Sequence, residues 1–557
     1  METGTCDLHS SFSSPATRTQ NETKSNTINV NELIAESSTA SLKMPITTMK
    51  KHSYRPHWYS PPALLLFFII ALSSSPLTSQ LVKAECSASD NDFANDPALQ
   101  TMSFDIGYGP QEFRAYVEPD VSTFYNEPPG SKTRLKPSHP GWAAKFVNMS
   151  NQRVRLFWDP RNGRPGSPIK VLDPFEAGGT ASFPRHEFYV TPYDNEDVIL
   201  HRWSISPPQA VYYYDPITIP GDEEATQTNL DNLSKQDFES YRRHVDSRDF
   251  AKHYFNFTGR EYLSMYPRNK PSHKIWRADY FGQEHWVTTR ETHFVEHPEL
   301  KELTKISPAE GRNRVLRDDE PRLLEQYRTQ EPYLNMTMKV LSCAPRAFEI
   351  KNFLSQTEVD HIMYLTTGLE LHRSTTAGGK DAARDQTRNT RTSLNTWVYR
   401  EKDQIIDTIY RRAADLLRID EALLRPRSKD EYPKMSSRGS IAEALQLVHY
   451  DVGQEYTAHH DFGYSDMFSN IQQPQRFCTL LLYLNEPEEG GETEFPRWVN
   501  AETREGLAVE PEIGKAVLFY SQLGDGNMDD WSQHAALPVK KGEKWLMNLW
   551  VWDPVYN

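Results

Sequence analysis

Cysteine is scarce in this chain, with four among 557 residues, of which Cys86, Cys343 and Cys478 follow an early apolar stretch. Cys478 sits in an apolar, strand-like run and reads as a buried thiol, which leaves Cys86–Cys343 as the one plausible disulfide. No Cys/His spacing of the zinc-binding kind occurs. Excess positive charge is lacking too: the formal net charge is −14. That balance argues against nucleic acid as a partner and against a polybasic membrane patch. No tandem repeat of fixed period appears, and long apolar runs are missing. The stretch Ala63–Leu72 holds ten apolar residues, too few to span a bilayer comfortably.

That stretch has a different use. Met49-Lys50-Lys51 precedes it and Val82-Lys83-Ala84 follows it, the basic start and small-residue exit of a secretory signal. Residues 61–84 therefore read as a signal peptide or a signal-anchor. Residues 1–60, rich in Ser, Thr, Asn and Lys without apolar periodicity, read as a disordered tail. Residues 1–48 are either an over-extended start or a cytosolic tail ahead of an anchor. After the apolar stretch, four acceptor triplets for N-glycosylation begin at Asn148, Asn232, Asn256 and Asn335. The expected location is the endoplasmic reticulum or secretory lumen, with a single-pass membrane anchor as one form.

Residues 100–220 carry short strand patterns at 143–148, 152–158, 169–172, 187–190, 198–203 and 210–214, separated by Gly and Pro turns. This favours a β-sandwich domain. Residues 222–335 read as a mixed helical and irregular region, with helix-like pieces at Lys235–Tyr254 and Glu320–Tyr333. Its aromatics, Trp276, Tyr280, Phe281 and Trp286 among them, point to packing rather than a free linker.

Chemistry concentrates near the C-terminus, in His459-His460-Asp461, His534 and Lys544. Two histidines and one carboxylate occupy one face of an octahedral metal and leave three positions open, the pattern of mononuclear iron(II) sites. A cation ten residues past the last ligand suits the far carboxylate of a dicarboxylic keto acid. His-x-Asp alone means little. With 18 histidines in the chain, about one such tripeptide arises by chance at a typical Asp frequency. His244-Val245-Asp246 is such a decoy, on what reads as a solvated helix face.

The copy at 459–461 has ordered surroundings. Leu445–Tyr450 alternates like a half-buried strand, Gly453 and Gln454 turn, and Tyr456–Asp461 returns. On a strand, residues two apart share a side, so His459 and Asp461 reach one metal while His460 points outward to solvent. Arg476–Leu484, Lys515–Tyr520 and Lys544–Trp552 are further strands. His534 lies 73 positions after Asp461, so the ligands meet only through folding. Short strands at these intervals suit a jelly roll. The expected architecture is mainly β with some α: a C-terminal double-stranded β-helix with flanking helices over 340–557, behind the sandwich and the mixed region.

Five blocks over 340–557 resemble prolyl 4-hydroxylases. Glu443–Phe462 is similar to the family's signature strand pair. Gly490–Pro496, and His534 followed by Lys544-Trp545, resemble two later blocks. Pro345–His361 resembles the entry strand and helix, and Arg388–Ser393 the Arg-Thr-Ser substrate loop. The resemblance implies His459, Asp461 and His534 as iron ligands. It implies Lys544 as partner of the 2-oxoglutarate distal carboxylate, with hydroxyls of Tyr450 and Thr493 assisting. Tyr456, Arg476 and Trp550 match positions that line the peptide groove, Arg476 on a backbone carbonyl. His460 replaces an aromatic ring usual in the family, and Trp552 stands where several relatives have His. Residues from Arg153–Trp158 onward faintly resemble the β domain of von Hippel-Lindau proteins.

What the resemblance implies is hydroxylation of peptidyl proline at C4, with Fe(II), O2 and 2-oxoglutarate yielding succinate and CO2. Ascorbate would act as rescuing reductant, as for the procollagen-proline dioxygenases. The implied substrate is a proline-rich secreted or cell-wall polypeptide; any partner subunit stays open. Two alternatives stand beside this: the same chemistry on another residue such as lysine, and a non-catalytic luminal binding protein. The intact ligand set and Lys544 weigh against the second.

Overall fold

Strands in the C-terminal part read as continuous apolar runs because both of their faces are covered. In a computed structural model, residues 96–117, 142–206, 209–266, 268–299, 302–303, 325–374, 391–427, 438–463, 475–499 and 506–553 are described. The expected tail, the apolar segment 61–84, Cys86 and Arg388 lie outside these residues. A nine-stranded antiparallel sheet runs in the order Glu284–Thr289, Leu334–Ser342, Ala347–Ile350, Ala516–Tyr520, Arg476–Tyr483, Lys544–Trp552, Leu445–Tyr450, Leu394–Val398, His372–Arg373. A four-stranded sheet faces it, in the order Tyr456–His459, His534–Ala536, Thr493–Val499, Gly506–Val509. This is the jelly roll expected from the sequence.

Alternation along each strand sorts side chains between two cores. Val448, Tyr450, Leu481, Tyr483 and Leu546 point inward, against Phe495, Leu507 and Ala536 of the smaller sheet. Leu445, Leu447, Leu480, Leu482, Met547 and Leu549 point outward into a second core shared with the helices. The helix Gln356–Thr366 begins at a capping box between Ser355 and Glu358. The helix Gln404–Leu417 begins at Asp403, whose carboxylate accepts from Ile405 and Ile406 N–H. Glu358 and Arg412 lock these helices together, both fully buried, at 2.7 and 2.8 Å. Removing one member of such a pair costs about 3–5 kcal/mol.

Between residues 142 and 214 two sheets pack face to face. One orders Ala177–Ser182, Trp142–Asn148, Val211–Tyr214; the other orders Ser167–Leu172, Val154–Asp159, Glu187–Pro192, His201–Ser204. Phe146 centres their core, 4.8 Å from Phe188 and 5.1 Å from Trp203 between ring centroids. The Ala177–Ser182 strand escaped the sequence reading because Ala-Gly-Gly-Thr looks like a turn. The small residues serve close packing: a Cβ on Gly178 would come 2.9 Å from the Leu172 side chain. A second core joins Val147, Met149 and Val211 to Tyr241 and Leu263, and reaches Phe462 and Met528 of the C-terminal part.

Three expectations need correction. Lys235–Thr258 is a helix, as expected, but His244 on it is fully buried and its Nδ1 bonds the Ser240 carbonyl at 2.8 Å. His244 lies on the buried stripe with Ser240, Ser247, Ala251 and Tyr254, while Arg242, Lys252 and Asn256 form the solvated side. Glu320–Tyr333 is not a helix among its described residues, which hold one 3-10 turn at Glu325–Tyr327; the next strand starts at Leu334. Asn148, one of the four acceptor asparagines, is fully buried. Its amide donates to the carbonyls of Gln152 and Asp173 at 2.7 and 3.0 Å. Asn232, Asn256 and Asn335 are exposed.

Candidate active site

Strand pairing brings the two distant histidines together. His459 ends the Tyr456–His459 strand, His534 opens the next, and the two are register partners. Their ring centroids stand 4.4 Å apart. Asp461 lies just past the strand end, with Oδ1 3.8 Å from His459 Nε2 and Oδ2 3.6 Å from His534 Nε2. One ligand atom from each residue falls within 4.8 Å of the others, close enough for a single ion.

The backbone selects the right tautomers. His459 Nδ1 lies 2.9 Å from the Thr457 carbonyl and His534 Nδ1 lies 3.0 Å from the Ser532 carbonyl. A carbonyl only accepts, so Nδ1 carries the proton in both rings and each Nε2 presents its lone pair inward. Burial and the facing His534 hold the His459 pKa well below the usual histidine range. Burial does the same to His534. For Asp461, burial alone would raise the pKa, but His534, His459 and Arg476 hold it below the usual carboxylate value. All three are thus in their metal-binding protonation states at neutral pH. Asp461 Oδ2 also accepts from Thr479 Oγ1 at 2.5 Å and from the Trp550 indole N–H at 3.0 Å.

Deeper in the barrel, Lys544 is fully buried, and its Nζ has no hydrogen-bond partner among the described residues. Nζ sits 5.6 Å from the ring centroids of both Tyr450 and Tyr483. Tyr450 is its direct cross-strand partner. Tyr483 donates its hydroxyl to Thr493 Oγ1 at 2.7 Å. Gly491, at φ +79°, leaves room beside the lysine; a Cβ there would stand 3.3 Å from Lys544 Cδ. Burial depresses the Lys544 pKa to about 7, only partly opposed by Glu492. A buried, unpartnered ammonium is costly unless an anion joins it.

A model of the 2OG-Fe(II) oxygenase superfamily matches residues 445–552. Probable prolyl 4-hydroxylase 3 of Arabidopsis thaliana is 34% identical over 225 residues, spanning 38% of this chain and 71% of that protein. Probable prolyl 4-hydroxylase 8 of Arabidopsis thaliana is 33% identical over 232 residues, spanning 40% of this chain and 73% of that protein. The chain belongs to the prolyl 4-hydroxylase family. Among solved structures, the 2OG complex of a viral collagen prolyl hydroxylase from Paramecium Bursaria Chlorella virus-1 is 26% identical. It covers 37% of this chain and 95% of that chain, at a TM-score of 0.27. Membership in the family implies Fe(II) and 2-oxoglutarate, with ascorbate typical. The residues present fit both. Two neutral imidazoles and a carboxylate are the donor set of non-haem iron(II) oxygenases. The orphaned Lys544 ammonium offers a carboxylate its missing partner.

Around the metal mouth, the family's groove positions take unexpected partners. Tyr456 stacks on His459, 3.5 Å between centroids, and the Arg391 guanidinium lies 4.7 Å from its ring centroid. Arg476 is held by both oxygens of Glu443, at 2.7 and 3.0 Å, and its guanidinium lies over Trp550 at 3.7 Å. Trp552 N–H donates to the same Glu443 at 2.7 Å. Trp550 is buried and spends its indole donor on Asp461 rather than only lining a groove.

His460 does not face solvent. The strand stops at His459, so alternation no longer governs the next side chain. Its side chain is only 4% exposed, and Nε2 meets the Asp530 carbonyl at 2.9 Å. Thr479, Tyr483 and Glu443 were missed by the sequence reading. The signal for the first two was period two: Thr479, Leu481 and Tyr483 share the inward face of the Arg476–Tyr483 strand, where a threonine is out of place without a polar task.

Proposed function

We infer that this protein hydroxylates peptidyl proline at C4, consuming O2 and 2-oxoglutarate and releasing succinate and CO2. The observation that carries the reading is Lys544, buried and unpartnered in a barrel whose mouth holds the His459–Asp461–His534 triad. Bound iron(II) supplies oxygen activation coupled to decarboxylation of the keto acid. The chain's own residues do the rest. His459, Asp461 and His534 would hold the ion. Thr479 and Trp550 fix the free rotation of the Asp461 carboxylate. Lys544 would pair with the distal carboxylate of 2-oxoglutarate, assisted by the hydroxyls of Tyr450 and Thr493. Tyr456, Arg476 and Trp550 line the approach for the peptide.

The substrate we propose is a proline-rich secreted or cell-wall polypeptide, met in the secretory lumen. The signal-like stretch at 61–84 and the exposed acceptor asparagines Asn232, Asn256 and Asn335 support that location; buried Asn148 does not. Among the described residues no helix is long and apolar enough to cross a membrane. The 61–84 stretch lies outside them.

Incubation with Fe(II), 2-oxoglutarate, ascorbate and a poly-proline peptide tests the reading. Stoichiometric succinate and 4-hydroxyproline are expected. Succinate without hydroxyproline would exclude proline as substrate, and no turnover would favour a binding protein.

A further inference from the structure

The segment that delivers His534 is not held by the barrel alone. Between Leu523 and Gln533 it is pinned by side chains and backbone from before residue 270. Asp525 Oδ2 accepts from Tyr116 N–H and from the Tyr254 hydroxyl, each at 2.7 Å. Asn527 Oδ1 accepts from Leu263 N–H at 2.8 Å. Arg260 Nη1 donates to Asp529 Oδ1 at 2.8 Å, in a pair whose side chains are 6% and 2% exposed.

From Asp529 a short chain of hydrogen bonds leads to the metal site. Asp529 Oδ1 also accepts from Trp531 N–H at 3.0 Å, capping the turn Asp530–Ser532. The Asp529 carbonyl accepts from Ser532 N–H at 3.0 Å and from Ser532 Oγ at 2.7 Å. The Ser532 carbonyl then accepts the Nδ1 proton of His534 at 3.0 Å. That last bond fixes both the tautomer and the ring direction of the ligand. The links from Arg260 to Asp529, from Ser532 Oγ to the Asp529 carbonyl and from His534 to the Ser532 carbonyl are buried, so a shift at Asp529 passes into close-packed surroundings.

We propose that Arg260 and Tyr254, in the part of the chain before the barrel, are positioning residues for the metal centre. They fix the segment whose final hydrogen bond aims His534. The region before the barrel is then part of the site's scaffold rather than an appendage to it. The inference rests on the reading of His459, Asp461 and His534 as iron ligands.

Titration of the full chain with Co(II), followed by visible absorption, tests it without turnover. Tyr254→Phe removes one hydroxyl, Arg260→Met removes the charge at similar volume, and Val190→Ala loosens the sandwich core as a stability control. Co(II) binding about ten-fold weaker is expected for Arg260→Met and a smaller loss for Tyr254→Phe. Val190→Ala should lower thermal stability without moving the affinity. Unchanged affinity in both positioning variants would overturn the inference, as would equal weakening in Val190→Ala. If Arg260→Met does not fold, Tyr254→Phe decides alone. Absence of Co(II) binding in the unmodified chain, or undiminished binding in His534→Ala, would instead sink the ligand reading on which the inference stands.

Discussion

The tripeptide His-x-Asp occurs at 244–246, 449–451 and 459–461, and the first and the last of these do opposite things. On the helix Lys235–Thr258, residues two apart face different directions. His244 is buried against Phe175, while Asp246 reaches outward to the Tyr108 hydroxyl. At the strand end, His459 and Asp461 converge on one point, and a pairing register supplies His534. Composition is identical in kind; backbone geometry and a third residue brought in by folding make one copy a site. The surroundings differ as well. Both rings meet a backbone carbonyl through Nδ1, but His459 Nε2 faces Asp461 Oδ1 at 3.8 Å, whereas the His244 ring packs beside Phe175.

The sharpest way to break this comparison is to remove a histidine from each copy. His459→Ala or His534→Ala should abolish hydroxylation in a peptide assay while circular dichroism shows a folded chain. His244→Ala should keep turnover and instead lower thermal stability, by about 1–3 kcal/mol. Lys544→Met comes next. It should raise the KM for 2-oxoglutarate on the order of 10- to 100-fold, the worth of a charged hydrogen bond of about 1.5–3 kcal/mol, with Co(II) binding retained.

The same lysine gives a pH dependence. Its pKa in the fold is about 7, below the unfolded lysine value, so between these limits the unfolded chain holds more protons. Stability of the ligand-free protein should therefore rise with pH through that window, and Lys544→Met should flatten the rise. Affinity for 2-oxoglutarate should move the other way, weakening as pH climbs above about 7 because the dianion needs the ammonium; denaturant unfolding at several pH values reads the first sign and isothermal titration the second.

Trp550→Phe keeps the ring but removes the donor to Asp461 Oδ2. It should weaken Co(II) binding about ten-fold. The smallest effect belongs to the decoy's carboxylate. Asp246→Asn should change stability by less than about 0.5 kcal/mol and leave activity alone.

Much of the catalytic part was legible in the sequence because strands covered on both faces write themselves as unbroken apolar runs. Arg476–Tyr483 and Lys544–Trp552 are the clearest cases, and the convergence of His459, Asp461 and His534 followed from them. What escaped depended on where a strand stops or on which partner a side chain finds. His460 turns inward because its strand ends one residue earlier. Trp550 also donates its indole N–H to Asp461 and Glu443 holds Arg476, contacts that no local sequence pattern foretells. Asn148 matches an acceptor triplet by its letters, yet its amide is already committed to carbonyls in the fold. The role of Asp529 and Arg260 was invisible, since no local pattern ties residue 260 to residue 529.

The central claim is that one barrel holds iron(II) on His459, Asp461 and His534 and 2-oxoglutarate on Lys544. Anaerobic titration of 2-oxoglutarate into the iron(II)-loaded chain, followed by visible charge-transfer absorption, tests it most directly. The account predicts a saturable band in the unmodified protein, the same band at much higher ligand concentration in Lys544→Met, and none in His534→Ala. A band in His534→Ala as strong as in the unmodified chain, or no band in any of the three, would contradict it.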